Sequence, residues 1–204
     1  MIFGVQWYYW LVLAIAIIVA IVAWSKALGA SRARREKLKK EAAIWKRDYE
    51  LREKYSVLTE EKFRECDNLN LLHAVAMNIQ VQLENAIDMN KSFDELPTEK
   101  KHIYALEYFD EDAKESLSAF FKNNGAPLVP NILQALAEIG ETEVFKLTEK
   151  IYPMYDPDSE VSIDYAVIQR VDEQFMEIYD SRKFCLAAAE YIKKNKDIFL
   201  STSN

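Results

Sequence analysis

The sequence predicts an all-α protein: a single N-terminal transmembrane helix, a helical stalk, and a compact cytoplasmic bundle of about six helices. Three observations predict it. Residues 1–25 contain no Asp, Glu, Lys, Arg or His, and Val5 to Leu28 is almost unbroken apolar sequence. After that stretch, apolar residues recur at three- and four-residue spacing between clear stop signals. No segment has the strict alternation of a half-buried strand.

A helix needs about 20 apolar residues to cross the hydrocarbon core of a bilayer. Only a helix can cross as a single segment, because lipid offers no partners to open backbone groups. Trp7, Tyr8, Tyr9 and Trp10 cluster at one end of the stretch and Trp24 lies near the other, the placement of interfacial aromatic belts. A cleaved signal peptide carries its basic residues before the apolar run. Here they follow it, as Lys26, Arg32, Arg34, Arg35, Lys37, Lys39 and Lys40. The positive-inside rule therefore places the N-terminus outside and the rest of the chain in the cytoplasm, anchored in the inner membrane. Lys26, Arg32, Arg34 and Arg35 are the expected headgroup contacts. Ala16, Ala20, Ala23 and Ala27 form a small-residue stripe through which two anchors could self-associate.

Three regions follow: residues 1–29 as anchor, 30–58 as a basic juxtamembrane stalk, and 59–204 as an acidic helical domain. The stalk has no Pro or Gly after Gly29 and carries opposite charges four apart, at Glu36–Lys40, Lys37–Glu41, Lys46–Glu50 and Glu50–Lys54. Leu38, Ala42, Trp45 and Tyr49 make a thin apolar stripe, compatible with a solvated stalk or a short coiled coil.

In the domain, Thr59-Glu60-Glu61 reads as a helix start, with apolar spacing from Leu69 carrying the helix to about Asp88. Residues 90–97 read as a break, and Thr98 as the cap of a helix through Ile103, Leu106 and Phe109. A run through Leu117, Phe120 and Phe121 stops at Asn123-Asn124-Gly125. Ile132–Ile139 stops at Gly140, and Thr142-Glu143 opens a helix to about Ile151. Residues 153–162 form a loop with two prolines. An amphipathic helix spans Ile163 to Tyr179, and Ser181 reads as the cap of the last one.

Charge is divided unevenly. Residues 1–58 hold 11 Lys/Arg and 5 Asp/Glu, whereas residues 59–204 hold 15 and 28. The acidic domain is repelled by anionic lipid and by phosphate backbones, which argues against direct nucleic-acid binding. The two cysteines, Cys66 and Cys185, are expected to be unpaired in a reducing cytosol.

No catalytic or cofactor motif is present. With 4 glycines, the chain lacks a Gly-rich phosphate loop, a nucleophile elbow and a His-Glu-x-x-His pair. No cofactor and no metal is therefore expected. His73 follows Cys66 by two helical turns and reads as a hydrogen-bonded histidine near the core rather than a ligand. Asp156, Asp158, Glu160 and Asp164 resemble the start of a calcium loop, but Val161 and Val167 occupy the positions that need Gly and Glu. Asp110, Glu111, Asp112 and Glu115 form a second acidic cluster. These four, with Asp156, Asp158 and Glu160, are the candidate acidic interaction surface.

Leu96 to Leu200 resembles a bacterial domain family of unknown function, the one that contains a DNA-mimic protein. Three pieces carry the resemblance: LPTEKKHIYALEYFDED running into LSAFFKNNG, then ILQALAEIGETEVFKLTEKIY, then VDEQFMEIYDSRKFCLAAAEYIKKNKDIF. Glu111, Phe120, Phe121 and Gly125 fit the family pattern, while its Asn-Gly-Gly element is absent. The resemblance implies an all-α fold and surface carboxylates that stand in for DNA phosphates.

The expected function is a membrane-anchored module whose acidic surface binds a basic protein, DNA-mimic-like or of an immunity or regulatory kind. The alternatives are an enzyme with Asp110, Glu111, Asp112, Glu115 or His73 in a helical cleft, and a structural membrane protein that self-associates through anchor and stalk. Residues 2–29 are expected to meet the bilayer.

Overall fold

The computed structural model describes residues 35, 38, 39, 42, 43, 46, 49–125 and 127–200. The chain divides into two units, Met1–Glu50 and Leu51–Asn204. Among the described residues no helix is long and apolar enough to cross a membrane. The transmembrane helix expected in residues 1–29 lies outside the described residues.

In the first unit every described residue is helical and exposed. Lys46 and Glu50 pair at 3.7 Å, one of the four i,i+4 pairs expected of residues 30–58. Leu38 and Tyr49 of the expected stripe are both exposed.

The second unit is all-helical, with no strand among its described residues. After a helical turn over residues 51–55 come α1 (Glu60–Glu65), α2 (Asn68–Glu84), α3 (Met89–Asp94) and α4 (Thr98–Ala113). Then follow α5 (Leu117–Asn123), α6 (Val129–Ile139), α7 (Thr142–Ile151), α8 (Tyr165–Ile178), α9 (Ser181–Lys194) and α10 (Lys196–Phe199). Six of these have ten or more residues; of the four short ones, α5 matches the run expected through Leu117, Phe120 and Phe121, α3 falls in the expected break, α1 lies in what reads as one uninterrupted helix, and α10 follows the last expected helix.

Short polar side chains set the starts. Thr59 caps α1 through the Lys62 amide at 3.3 Å. The single helix expected from Thr59 to Asp88 is instead broken. Cys66 is extended, and Asp67 accepts the Leu69 amide at 2.7 Å to start α2 afresh. Asp88 caps α3, which occupies the expected break. Pro97, not Thr98, is the residue before α4; its φ of −53° already suits a helix entry. Asp180, not Ser181, caps α9, because its carboxylate takes the Arg182 and Lys183 amides. Gly140 stops α6 at φ +79°, a left-handed conformation that glycine adopts at little cost.

The helix α4 is the axis of the unit, packing against α2, α5, α6 and α9. Its Ile103, Ala105, Leu106, Phe109 and Ala113 are all fully buried. Phe109 is the hub: its ring stacks on Phe184 at 5.6 Å and meets Phe120 and Phe175 edge-on. Burying such a ring contributes about 2–3 kcal/mol, with about 1 kcal/mol more from each well-oriented aromatic pair. Tyr55 and Leu58, which the sequence assigns to the stalk, fill this core as well. Asn78, itself buried, donates to the carbonyls of Tyr55 (3.1 Å) and Ser56 (2.8 Å), pinning that turn against α2.

Candidate interaction surface

The acidic clusters of the sequence part company in the fold, beginning on α4. With Phe109 turned into the core, the neighbouring Asp110 is drawn under the surface and is 7% exposed. Its Oδ1 accepts from the Tyr179 hydroxyl at 2.5 Å and the Ser181 hydroxyl at 2.6 Å. Lys114 approaches Oδ2 at 3.3 Å. Asp110 is therefore an internal acceptor joining α4 to the α8–α9 turn, and not part of an exposed acidic surface as expected. Burial, then the charge of Asp110, raises the Tyr179 hydroxyl well above the tyrosine range. The same two causes push the Cys185 thiol up to about 11.

Asp112 accepts from Asn123 at 2.7 Å and Asn124 at 2.6 Å, tying down the end of α5. Glu111 is exposed, one turn beyond Glu107, whose carboxylate contacts Nδ1 of His73 on α2. His73, Glu107 and Glu111 are the group of metal-ligating side chains that converge among the described residues, with ligand atoms within 4.8 Å of one another. The residues considered for catalysis thus have separate partners: Asp110 on Tyr179, Asp112 on two asparagines, His73 on Glu107. None of Asp110, Glu111, Asp112 and His73 lines the groove between α5 and α8 or the one between α1 and α9.

Glu115 does line one. Together with Ser116 and Lys122 it forms one wall of a groove of about 680 Å³, and α8 forms the other. The helix α8 is amphipathic, burying Ile168, Val171 and Phe175 and turning its other side outward. That outer side gives the groove Tyr165, Gln169, Asp172, Glu173, Met176 and Glu177. Asp172 also holds the walls together: it accepts from the backbone amide (2.8 Å) and hydroxyl (2.6 Å) of Ser118 in α5. Lys122 reaches the same hydroxyl at 2.9 Å. Four carboxylates and one ammonium thus border a strip of apolar atoms in which Tyr165 is 76% and Met176 49% exposed.

The second expected cluster lies in the loop before α8. Asp158 and Glu160 are exposed there, and Asp156 accepts the Asp158 amide at 3.0 Å, folding the turn. The loop starts from Tyr155, whose ring stacks on Phe121 of α5 at 4.8 Å. Val161 and Ile163 extend its exposed apolar surface toward Tyr165 along the chain.

The sequence reading missed Asp172, Glu173 and Glu177, although their spacing beside Tyr165 and Met176 was available as a signal. Of the anchor and headgroup residues, Trp7, Trp10, Ala16, Ala20, Ala23, Trp24, Lys26, Arg32 and Arg34 lie outside the described residues; Arg35 is helical and exposed.

Comparison with known families agrees with the resemblance drawn from the sequence. The family described as DMP19-like protein matches residues 94–195, half of the chain. No curated protein and no solved structure matches.

Proposed function

We propose that this chain, which belongs to the DMP19-like protein family, works as a DNA-mimic-like protein-interaction module. The acidic groove between α5 and α8 receives a basic protein segment. The observation that carries this reading is the combination in one groove of Glu115, Asp172, Glu173 and Glu177 with the exposed Tyr165 and Met176. Carboxylates at a rim steer a basic partner and fix its register, while desolvated aromatic and methionine surface supplies affinity. The excess of 28 acidic over 15 basic residues after residue 58 supports the same reading, as it repels competing anions such as free nucleic acid.

The apolar stretch before residue 29 and the basic residues after it support a tether. In this reading residues 2–29 span the inner membrane and present the acidic unit in the cytoplasm, where a captured DNA-binding protein would be held away from the chromosome. Like charge keeps the unit off the anionic leaflet.

The experiment is capture from a detergent extract by the full chain, compared with a Glu173→Lys, Glu177→Lys variant. The expected result is a basic protein that the parent chain retains at low salt, releases as salt rises, and that the variant retains at least tenfold less well. Equal retention by parent and variant, or salt-independent retention, would remove the charge-driven groove as the site.

A further inference from the structure

We infer that His73, Glu107 and Glu111 form a binding site for one divalent transition-metal cation. The site lies on α2 and α4, apart from the groove, and does not depend on the proposed interaction.

The geometry comes from two packed helices. Glu107 and Glu111 are one turn apart on α4, so their side chains share a face. His73 reaches that face from α2, which packs directly on α4. The three ligand atoms lie within 4.8 Å of one another. Metal bonds to imidazole nitrogen and carboxylate oxygen are about 2.0–2.2 Å, which places ligand atoms around a shared ion about 3–4 Å apart. Small side-chain rotations close that difference.

The electrostatics ask for a cation. Two carboxylates at i,i+4 repel each other. His73 and Glu107 are 20% and 13% exposed at their side chains, so water screens them poorly. Lys114, just past the end of α4, makes its ion pair with Asp110 at 3.3 Å. A proton on His73 would supply one positive charge; a divalent ion supplies two and contacts all three donors at once.

The donor set selects the ion class. One imidazole and two carboxylates suit zinc, manganese or ferrous iron better than a thiolate-seeking ion. Three protein ligands leave coordination positions for water. Bridging α2 to α4, such an ion would also stabilise the fold by mass action.

The test is titration of the full, chelator-stripped chain with Zn²⁺ and with Mn²⁺ in a mild detergent, followed by calorimetry and by the thermal unfolding midpoint. One equivalent per chain is expected, with a raised midpoint. The exposed Glu111→Gln should weaken binding at least about tenfold while leaving the helical circular-dichroism signal unchanged. His73→Asn should abolish both binding and the midpoint shift. Cys66→Ser and Cys185→Ser should leave binding intact. Equal binding by parent and Glu111→Gln would overturn the site. So would loss of zinc binding only in a cysteine variant, or no saturable heat with either metal at millimolar concentration.

Discussion

The Tyr179 hydroxyl donates to Asp110 at 2.5 Å across 69 residues of sequence, and the Ser181 hydroxyl shares the same oxygen. A buried carboxylate held by two hydroxyls is costly to leave half-satisfied. Asp110→Ala is expected to destabilise the unit by about 3 kcal/mol, because both donors lose their acceptor. Tyr179→Phe keeps the ring stacked on Phe175 and is expected to cost about 1 kcal/mol. Urea unfolding of the two variants and their double combination checks this: a coupling energy indistinguishable from zero would mean the contact does not hold the turn.

Phe109 gives a second prediction. It is fully buried and packs on rings from α5, α8 and α9. Phe109→Ala leaves a cavity bounded by stiff rings that cannot collapse into it, so a loss of about 3–5 kcal/mol is expected. Leu186, 37% exposed on α9, is the control. Its replacement by Ala should change the urea midpoint far less, by roughly 0.5 kcal/mol.

Gly140 is the third. A Cβ added there meets nothing within 4 Å, so no steric clash contributes. The left-handed backbone at φ +79° remains, and it costs an alanine about 1–2 kcal/mol. Gly140→Ala should lower stability by about 1 kcal/mol and Gly140→Asn by less, since Asn tolerates this conformation. Thermal unfolding of both ranks them.

Alkaline pH supplies the fourth. Burial raises the Cys185 thiol to about 11 and the Tyr191 hydroxyl to about 12 in the folded chain. The unfolded chain therefore releases these protons first. The Cys185 contribution is fully present below the ordinary thiol value of 9.0 and is lost as pH rises through about 11; that of Tyr191 is lost between its ordinary value of 10.0 and about 12. Lys100, lowered by its own burial, opposes this but is one group against several. Stability is expected to fall steadily above about pH 9, and Cys185→Ala should flatten the first part of the fall. Urea midpoints through that range decide it; a flat profile in the parent chain would contradict the burial of Cys185.

The helical class was legible because apolar spacing is a local property. Ile103, Leu106 and Phe109 announce a buried helix face without knowledge of its partner, and Gly140 announces a stop by its own backbone freedom. Breaks decided by competition were harder. Asp67 restarts a helix that Glu65 and Leu69 would otherwise carry through, because its carboxylate happens to reach the Leu69 amide. Tyr55 and Leu58 belong to the core, yet they follow a run of stalk-like charges, and nothing local distinguishes them. The site suffered most. Asp110 and Glu111 are adjacent letters, but one helical step of about 100° puts the first under Tyr179 and the second in the open. Likewise, His73 meets Glu107 only because two helices cross, 34 residues apart in the chain.

The division of the chain at Glu50 has a spectroscopic consequence. All four tryptophans, at positions 7, 10, 24 and 45, precede it. The helical unit glows only through tyrosine. Indole emission from the intact protein will therefore arise from the first unit alone. A tryptophan introduced at Tyr165, on the rim of the groove, would be the lone reporter there, and its shift on adding a partner would read occupancy directly.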